Sequence, residues 1–176
     1  MFKATKRELG EIYAFFRLLA DGSVYMGTPQ VQKDMNRCWP VALVQREEHD
    51  GTRRYYIEED EIRMVSGEVD RSGQFVPKEE AESVTFPRAD FGEAADYVLD
   101  ILKHSSGEEV EVPDGLEGFL DAVRIYDLEA KTDDRTDFKI AFWQKDAPLT
   151  GFCVRCRLSP MNPLLDGGRT ANLKLE

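Results

Sequence analysis

Three residues in the last third of the chain, Asp137, Cys153 and Arg155, have types and spacing that suit chemistry on a phosphodiester. Asp137 opens a predicted strand over residues 136–144, and a second predicted strand, 150–158, follows after a short turn. A carboxylate at a strand end can hold a metal ion, which lowers the pKa of an attacking water. A cation beside it neutralises charge that develops on the phosphate. Since side chains alternate along a strand, Cys153 and Arg155 are expected on one face, which Asp137 could approach.

Two of these residue types differ from what metal-dependent hydrolysis needs. Cys153 offers sulfur, whereas magnesium prefers hard oxygen ligands. Arg155 keeps a positive charge, but it cannot act as a base, and its planar guanidinium differs in shape from an ammonium group. We therefore expect Arg155 to form a salt bridge with a neighbouring acid in preference to a catalytic role.

Charge is distributed unevenly along the 176 residues, whose formal net charge is −11. Residues 1–46 have a net charge of +3, residues 47–130 of −16, and residues 131–176 of +2. A net negative charge is the wrong sign for a DNA-binding protein, but a site built from the two ends could still be mildly basic. The acidic middle, 47–130, is interpreted first as a solubilising surface. The alternative is a surface that imitates a phosphate backbone.

The three cysteines favour a reducing compartment, because an odd count argues against a disulfide framework. Cys153 and Cys156 form a Cys-x-x-Cys pair, but only Cys38 and two histidines remain to complete a zinc site, so inert thiols are expected. No apolar run reaches membrane-spanning length, and no signal-peptide core follows the first six residues. These features predict a cytoplasmic protein with no organic cofactor.

The order of predicted elements indicates an α/β (α+β) domain, a mixed β-sheet flanked by helices, over residues 1–176. The first helix, 8–20, has apolar residues at helical spacing, a Thr5–Glu8 capping box and a stop at Gly22. The other predicted helices are one capped by Asp90 and ending near His104, and one over 114–122. The predicted strands are 39–45, 83–86, a hairpin of 54–57 with 62–65, and three strands within 123–158, the first over 123–131. Residues 66–81 are predicted to be a loop or ragged strand, and residues 108–113 a connector.

Four blocks of this sequence resemble the HpaII-type restriction endonucleases, which cut CCGG. They are residues 8–22, 131–141 and 151–158, and a final block of Pro163-Leu164-Leu165-Asp166 with Thr170 and Asn172. The resemblance implies a restriction-endonuclease-like core, a magnesium cofactor, CCGG duplex as partner and a role in DNA restriction; a homodimer is a further expectation. It spans about the first half of such an enzyme. The closing Leu175-Glu176 also matches what a common cloning site leaves, so the natural chain is expected to continue past Lys174.

The resemblance also suggests roles for individual residues. Glu8, Glu11 and Asp137 match the family, and the pair Asp137 with Glu8 is implied as the magnesium site. Arg155 stands where the family has lysine, and Cys153 and Cys156 where it has serine; Arg7 replaces a glycine and Asp166 an asparagine. The catalytic set Asp137, Arg155 and Glu8 therefore predicts a degenerate nuclease. The plainer interpretations are a helix-capping acid for Glu8 and a turn acid for Asp137.

Two other functions remain open at this point. The first is a non-enzymatic acidic protein that binds a basic protein partner, such as an inhibitor that occupies the DNA groove of a nucleic-acid-targeting defence system. For that role, acids 58–61 should form one surface with Glu79, Glu80 and Glu82. The second is an unrelated housekeeping module. An adjacent methyltransferase gene or a gel shift on CCGG duplex would separate these functions.

Overall fold

A computed structural model describes residues 2–30, 32–78, 83–129, 136–144 and 148–154. Within these ranges the protein is a mixture of helices and a curled antiparallel sheet, as the sequence predicts. No helix in them is long and apolar enough to cross a membrane.

Three helices are present: α1 (Lys6–Asp21), α2 (Arg88–His104) and α3 (Asp114–Ala122). The capping box at the start of α1 is confirmed, because the Glu8 amide donates to the Thr5 hydroxyl and the Glu8 carboxylate accepts from the Thr5 amide. Gly22 ends α1 with a φ of 61°, a left-handed conformation that glycine adopts without strain.

The predicted cap of α2 at Asp90 is wrong. The helix begins two residues earlier, after Pro87, and Asp90 lies in its first turn. Proline is favoured next to a helix start because its φ is already fixed. The Arg88 amide donates to the Asp60 carbonyl at 2.8 Å, so this helix start is anchored to the β-sheet without a side-chain cap.

Ten strands are assigned in the described ranges, and their bounds are β1 (Lys3–Thr5), β2 (Ser23–Gly27), β3 (Lys33–Glu48), β4 (Gly51–Ile57), β5 (Glu61–Val69), β6 (Phe75–Pro77), β7 (Val84–Pro87), β8 (Glu109–Glu111), β9 (Phe138–Phe142) and β10 (Thr150–Phe152). The main sheet has the order β10-β9-β3-β4-β5-β6, with β2 also paired to β3 and β7 to β5; β1 pairs with β8. The predicted hairpin of β4 and β5 is confirmed.

Several predicted boundaries are corrected by non-local pairing. β3 is longer than the predicted strand 39–45, because its first half pairs with β2 and its second half with β4 and β9. Residues 66–81, predicted as a loop or ragged strand, contain the end of β5 and all of β6, which pair with each other. The connector 108–113 contains β8, which β1 stabilises as a pairing partner.

The predicted strand over residues 123–131 is wrong for its described part, 123–129, which follows α3 as irregular backbone. Arg124 has a φ of 57°, which interrupts an extended chain. The amides of Tyr126 and Asp127 donate to the Glu48 carboxylate, so a side chain satisfies them instead of a neighbouring strand.

The core lies between α1, α2 and one face of the sheet. Phe15 of α1 contacts the rings of Tyr55 on β4 and Phe138 on β9, with centroids 5.0 and 6.1 Å apart. Burying one such aromatic side chain contributes about 1.5–3 kcal/mol. Burial raises the pKa of Tyr55, whose hydroxyl donates to the Val123 carbonyl at 2.9 Å. This packing fixes β9, the strand that begins directly after the candidate acid Asp137.

Candidate functional site

Asp137 lies immediately before β9, at the point where β9 and β10 leave their hairpin pairing. Its amide donates to the Phe152 carbonyl at 2.8 Å, and its carboxylate accepts a hydrogen bond from the Val154 amide. The predicted strands 136–144 and 150–158 are shorter in the described residues, because β9 begins one residue after Asp137 and β10 ends at Phe152. Asp137 lies beside the end of β10, and Cys153 is outside that strand, so strand alternation does not apply to it.

Arg155 and Cys156 lie outside the described residues, so the predicted approach of Arg155 to Asp137 stays a prediction. Val154, whose amide donates to Asp137, is the residue directly before Arg155. Cys153 is exposed and is not in a disulfide. Residues 131–135 and the block that begins at Pro163 also lie outside the described residues, as does the half of the predicted zinc site that Cys156 would supply.

Glu8 is held by the helix cap. One oxygen of its carboxylate, Oε2, accepts from the Thr5 amide at 2.6 Å and from the Thr5 hydroxyl at 2.7 Å. The next residue back, Arg7, approaches the Glu129 carboxylate at 3.8 Å, so the first turn of α1 lies beside the segment before Asp137. The capping interpretation of Glu8 is confirmed, and its role as a metal ligand stays a prediction.

Sequence reasoning missed two residues near Asp137, Lys139 and Glu47. They lie on the sheet face opposite α1, which carries Gln45, Glu47, Arg54 and Lys139 and is called the second face below. Gln45 on β3 pairs with Lys139, and this register, continued by two residues, sets Glu47 across from Asp137. The spacing Asp137-x-Lys139 could have revealed the lysine, because residues two apart in a strand share a face.

Glu47 is already placed by hydrogen bonds. Its carboxylate accepts from the Gln45 amide nitrogen at 2.9 Å and from the Thr52 hydroxyl at 2.6 Å. Arg54 Nε donates to Oε1 of the Gln45 side chain at 2.8 Å, which extends the polar row across β4. No sequence pattern links Glu47 to Asp137, since 90 residues separate them and only the sheet register brings them together.

Magnesium in proteins is usually bound through one or two carboxylates, with water and substrate phosphates as its other ligands. In the described part of the chain, no group of three or more His, Cys, Asp or Glu side chains is arranged to hold a metal. Asp137 with one further acid would match a magnesium ion that is bound through two carboxylates.

A buried cluster of charges, Glu11, Arg46 and Glu48, lies between α1 and the sheet. Arg46 donates to the carboxylates of Glu11 and Glu48, both at 2.9 Å, and to the carbonyls of Asp127 and Leu128. Burial lowers the pKa of Arg46, but the charges of Glu48 and Glu11 outweigh it and raise that pKa above its ordinary value. The cluster fixes the segment that leads towards Asp137.

A cleft of about 750 Å³ lies at the other end of the second face. Its lining includes Tyr56, Arg63 and Trp143. The Arg63 guanidinium lies 4.5 Å from the centre of the Tyr56 ring, and Trp143 is 67% exposed. Because Trp143 is six residues beyond Asp137, the cleft lies roughly 20 Å along the strand from that acid.

A curled antiparallel sheet packed against helices, with an acid next to a strand end and basic and acidic side chains beside it, is consistent with a restriction-endonuclease-like core. A family model described as HpaII restriction endonuclease matches residues 5–176. The chain therefore belongs to the HpaII restriction endonuclease family.

One curated relative is the type II restriction enzyme HpaII of Haemophilus parainfluenzae, which is 25% identical over 174 residues. The match covers 97% of this chain and 45% of that enzyme, so the chain spans less than half of its relative's length. No solved structure matches the chain.

Proposed function

We propose that the chain is a DNA-binding member of the HpaII family that binds CCGG duplex and has little or no magnesium-dependent cleavage. One observation carries the proposal: the Asp137 carboxylate is bonded to the amide of Val154, and the next residue is Arg155, where the family has lysine. Asp137 and a positive charge would thus remain adjacent, but the positive charge would belong to a guanidinium instead of an ammonium group.

The exchange of lysine for arginine has a chemical consequence. In this proposal Asp137 holds magnesium, with Glu8 or Glu47 as a second acid, and the ion supplies an activated water when it is bound. Arg155 would neutralise the phosphate and strengthen DNA binding, because a guanidinium pairs with two phosphate oxygens at once. It cannot accept a proton from water. Loss of one well-placed transition-state contact typically costs ~10²–10³ in rate.

An overnight digestion of plasmid that contains CCGG sites tests the proposal. We expect no discrete fragments with magnesium or manganese, and at most a trace of nicking. Asp137→Asn is the control, because it removes the acid and should abolish that trace. Clean fragments cut at CCGG would refute the degenerate assignment.

A second experiment concerns metal binding. We expect Arg155→Lys to raise the affinity for manganese in calorimetry, since an ammonium leaves more room for a hydrated ion than a guanidinium does, and to leave cleavage undetectable. The double variant Asp137→Asn with Arg155→Lys should lose the gain. Equal manganese affinity in the wild type and both variants would show that these residues do not form a metal site.

A non-enzymatic inhibitor is the second candidate, and the turn between β4 and β5 favours it. Glu58, Glu59, Asp60 and Glu61 are all exposed, although Glu58 forms an ion pair with Arg63 at 2.9 Å. The other acids predicted for this surface, Glu79, Glu80 and Glu82, lie outside the described residues. A salt-sensitive complex with a basic defence nuclease, abolished by Glu59→Lys with Glu61→Lys, would favour the inhibitor over the DNA-binding protein.

A further inference from the structure

Arg53 on β4 is a buried cation with an incomplete set of partners. Its side chain is 2% exposed, and Nη2 donates to the Asp50 carboxylate at 2.5 Å. Nε and Nη1 are buried and have no hydrogen-bond partner in the described part of the protein. Buried donors are almost always satisfied in folded proteins, and an incompletely paired buried charge is costly. Arg53 therefore needs an explanation beyond packing.

Two further cations lie next to Arg53. Ser66 on β5 is its direct partner across the sheet, and the Ser66 hydroxyl oxygen is 3.3 Å from Arg124 Nη1, which donates to it. Lys78 Nζ and Arg53 Nη1 lie 3.5 and 3.7 Å from the point where a Cβ on Gly51 would be. Lys78 and Arg53 thus meet at the end of the β4–β5 pair, where the Gly67 carbonyl oxygen is 2.8 Å from the same point, and Arg124 reaches this end through Ser66.

Two acids contact this cluster directly, and a third, Glu48, lies across the strand pair from Gly51 and is already bonded to Arg46. Asp50 is 40% exposed and accepts from Arg53, while its carbonyl accepts from Lys78 Nζ at 2.9 Å. Glu68 is 71% exposed and lies 3.8 Å from Lys78 Nζ, a distance typical of a weak surface pair. The three cations are thus grouped inside residues 47–130, whose net charge is −16.

We propose that Arg53, Lys78 and Arg124 form a binding site for a phosphoryl oxyanion. The two unpartnered Arg53 nitrogens match the fork geometry with which guanidinium groups bind two phosphate oxygens. The Ser66 hydroxyl supplies a further donor. Lys78 is exposed and is held by the Asp50 carbonyl and by the weak pair with Glu68, so it can turn outward to admit the anion and then pair with it.

The position of the site suggests two sources for this anion. It adjoins the β3–β4 turn, at the end of the sheet where Asp137 also lies. A phosphodiester of bound DNA could therefore occupy it, and so could free inorganic phosphate. The site itself does not rest on the proposed function, because its argument uses only Arg53 and the residues around it.

The test follows the Nε–Hε resonance of Arg53 by NMR while inorganic phosphate is titrated at constant ionic strength. Loss of one peak in Arg53→Lys assigns the resonance. We expect a saturable shift in the wild type and at least a tenfold weaker affinity in Lys78→Ala with Arg124→Asn. Asparagine is chosen because it tolerates the positive φ of residue 124. Lys103→Ala, in the last turn of α2, is the matched control and should bind like the wild type.

The outcomes separate this site from the proposed function. A non-saturable shift, or equal affinity in the double variant and the wild type, would overturn the site. In a competition arm, release of phosphate by a short CCGG duplex would assign the anion to DNA, and retention of phosphate would assign it to the free ion. Phosphate binding with no gel shift on DNA would sustain the site and contradict the DNA-binding proposal.

Discussion

Arg46 and Arg53 lie directly opposite one another on β3 and β4, and both are buried, yet their surroundings differ. Arg46 contacts two buried carboxylates and two carbonyls, whereas Arg53 has one carboxylate and two nitrogens without a partner in the described ranges. Arg46 thus holds three chain segments together, while Arg53 retains capacity to bind. Two arginines at paired positions of adjacent strands can thus have different roles, Arg46 in stability and Arg53 in binding. The number of their hydrogen-bond partners distinguishes these roles.

The largest effect is expected from Arg46→Met. It leaves Glu11 and Glu48 buried without their cation, and breaking a buried pair in this way costs about 3–5 kcal/mol. Urea denaturation should show this loss in the free energy of unfolding. Glu11→Gln with Glu48→Gln in the same background should recover part of it. A loss below about 1 kcal/mol would show that the cluster is dispensable.

Arg53→Met should cost much less than Arg46→Met, within about 1 kcal/mol in phosphate-free buffer, because it also removes two unsatisfied donors. Its effect should appear when phosphate is added. A ligand at ten times its Kd stabilises the native state by about 1.4 kcal/mol, and this gain should be present in the wild type and absent in Arg53→Met. Thermal unfolding at constant ionic strength measures both. Equal costs for the two arginines would remove the contrast between them.

The contrast between these arginines could not be predicted from sequence, although much of the fold could. Helix α1, α3 and the β4–β5 hairpin were predicted because capping residues and apolar spacing act within a few positions. The strand predicted over 123–131 failed because Arg46 and Glu48, some 80 residues away, satisfy the backbone of its described part.

The candidate site divides in the same way. Asp137 was found because it opens a strand, whereas Glu47 depends on a register that no local pattern specifies. Arg53 and Arg46 have the same residue type, and only their three-dimensional contacts tell them apart. Residue types can thus suggest the chemistry of a site. Which residues form the site depends on long-range strand pairing.

The smallest effect on stability is expected from Asp21, whose ion pairs are partly exposed, unlike those of the buried cluster of Glu11, Arg46 and Glu48. Asp21 lies 2.9 Å from Arg17 and 2.6 Å from Lys33. Burial raises the pKa of Asp21, but its hydrogen bonds to Lys33 and Arg17 outweigh this and lower the pKa below 3.8. Its contribution is therefore present above pH 3.8 and is lost as the pH falls through the lower, folded-state value.

Asp21→Asn should accordingly cost about 0.5 kcal/mol at neutral pH and nothing under strongly acidic conditions. Unfolding measured across this pH range, with Glu93→Gln on the exposed side of α2 as the control, checks the sign. A cost that grows as the pH falls would contradict the assigned direction of the pKa shift.

The central claim, that this chain binds CCGG duplex, is tested most directly by fluorescence anisotropy. A labelled duplex with one CCGG site is compared with a duplex of the same composition in which the site is shuffled. We predict tighter binding to the CCGG duplex, by at least tenfold, and weaker binding of both duplexes as salt rises. Equal affinity for both duplexes, or no binding to either at low salt, would contradict the account.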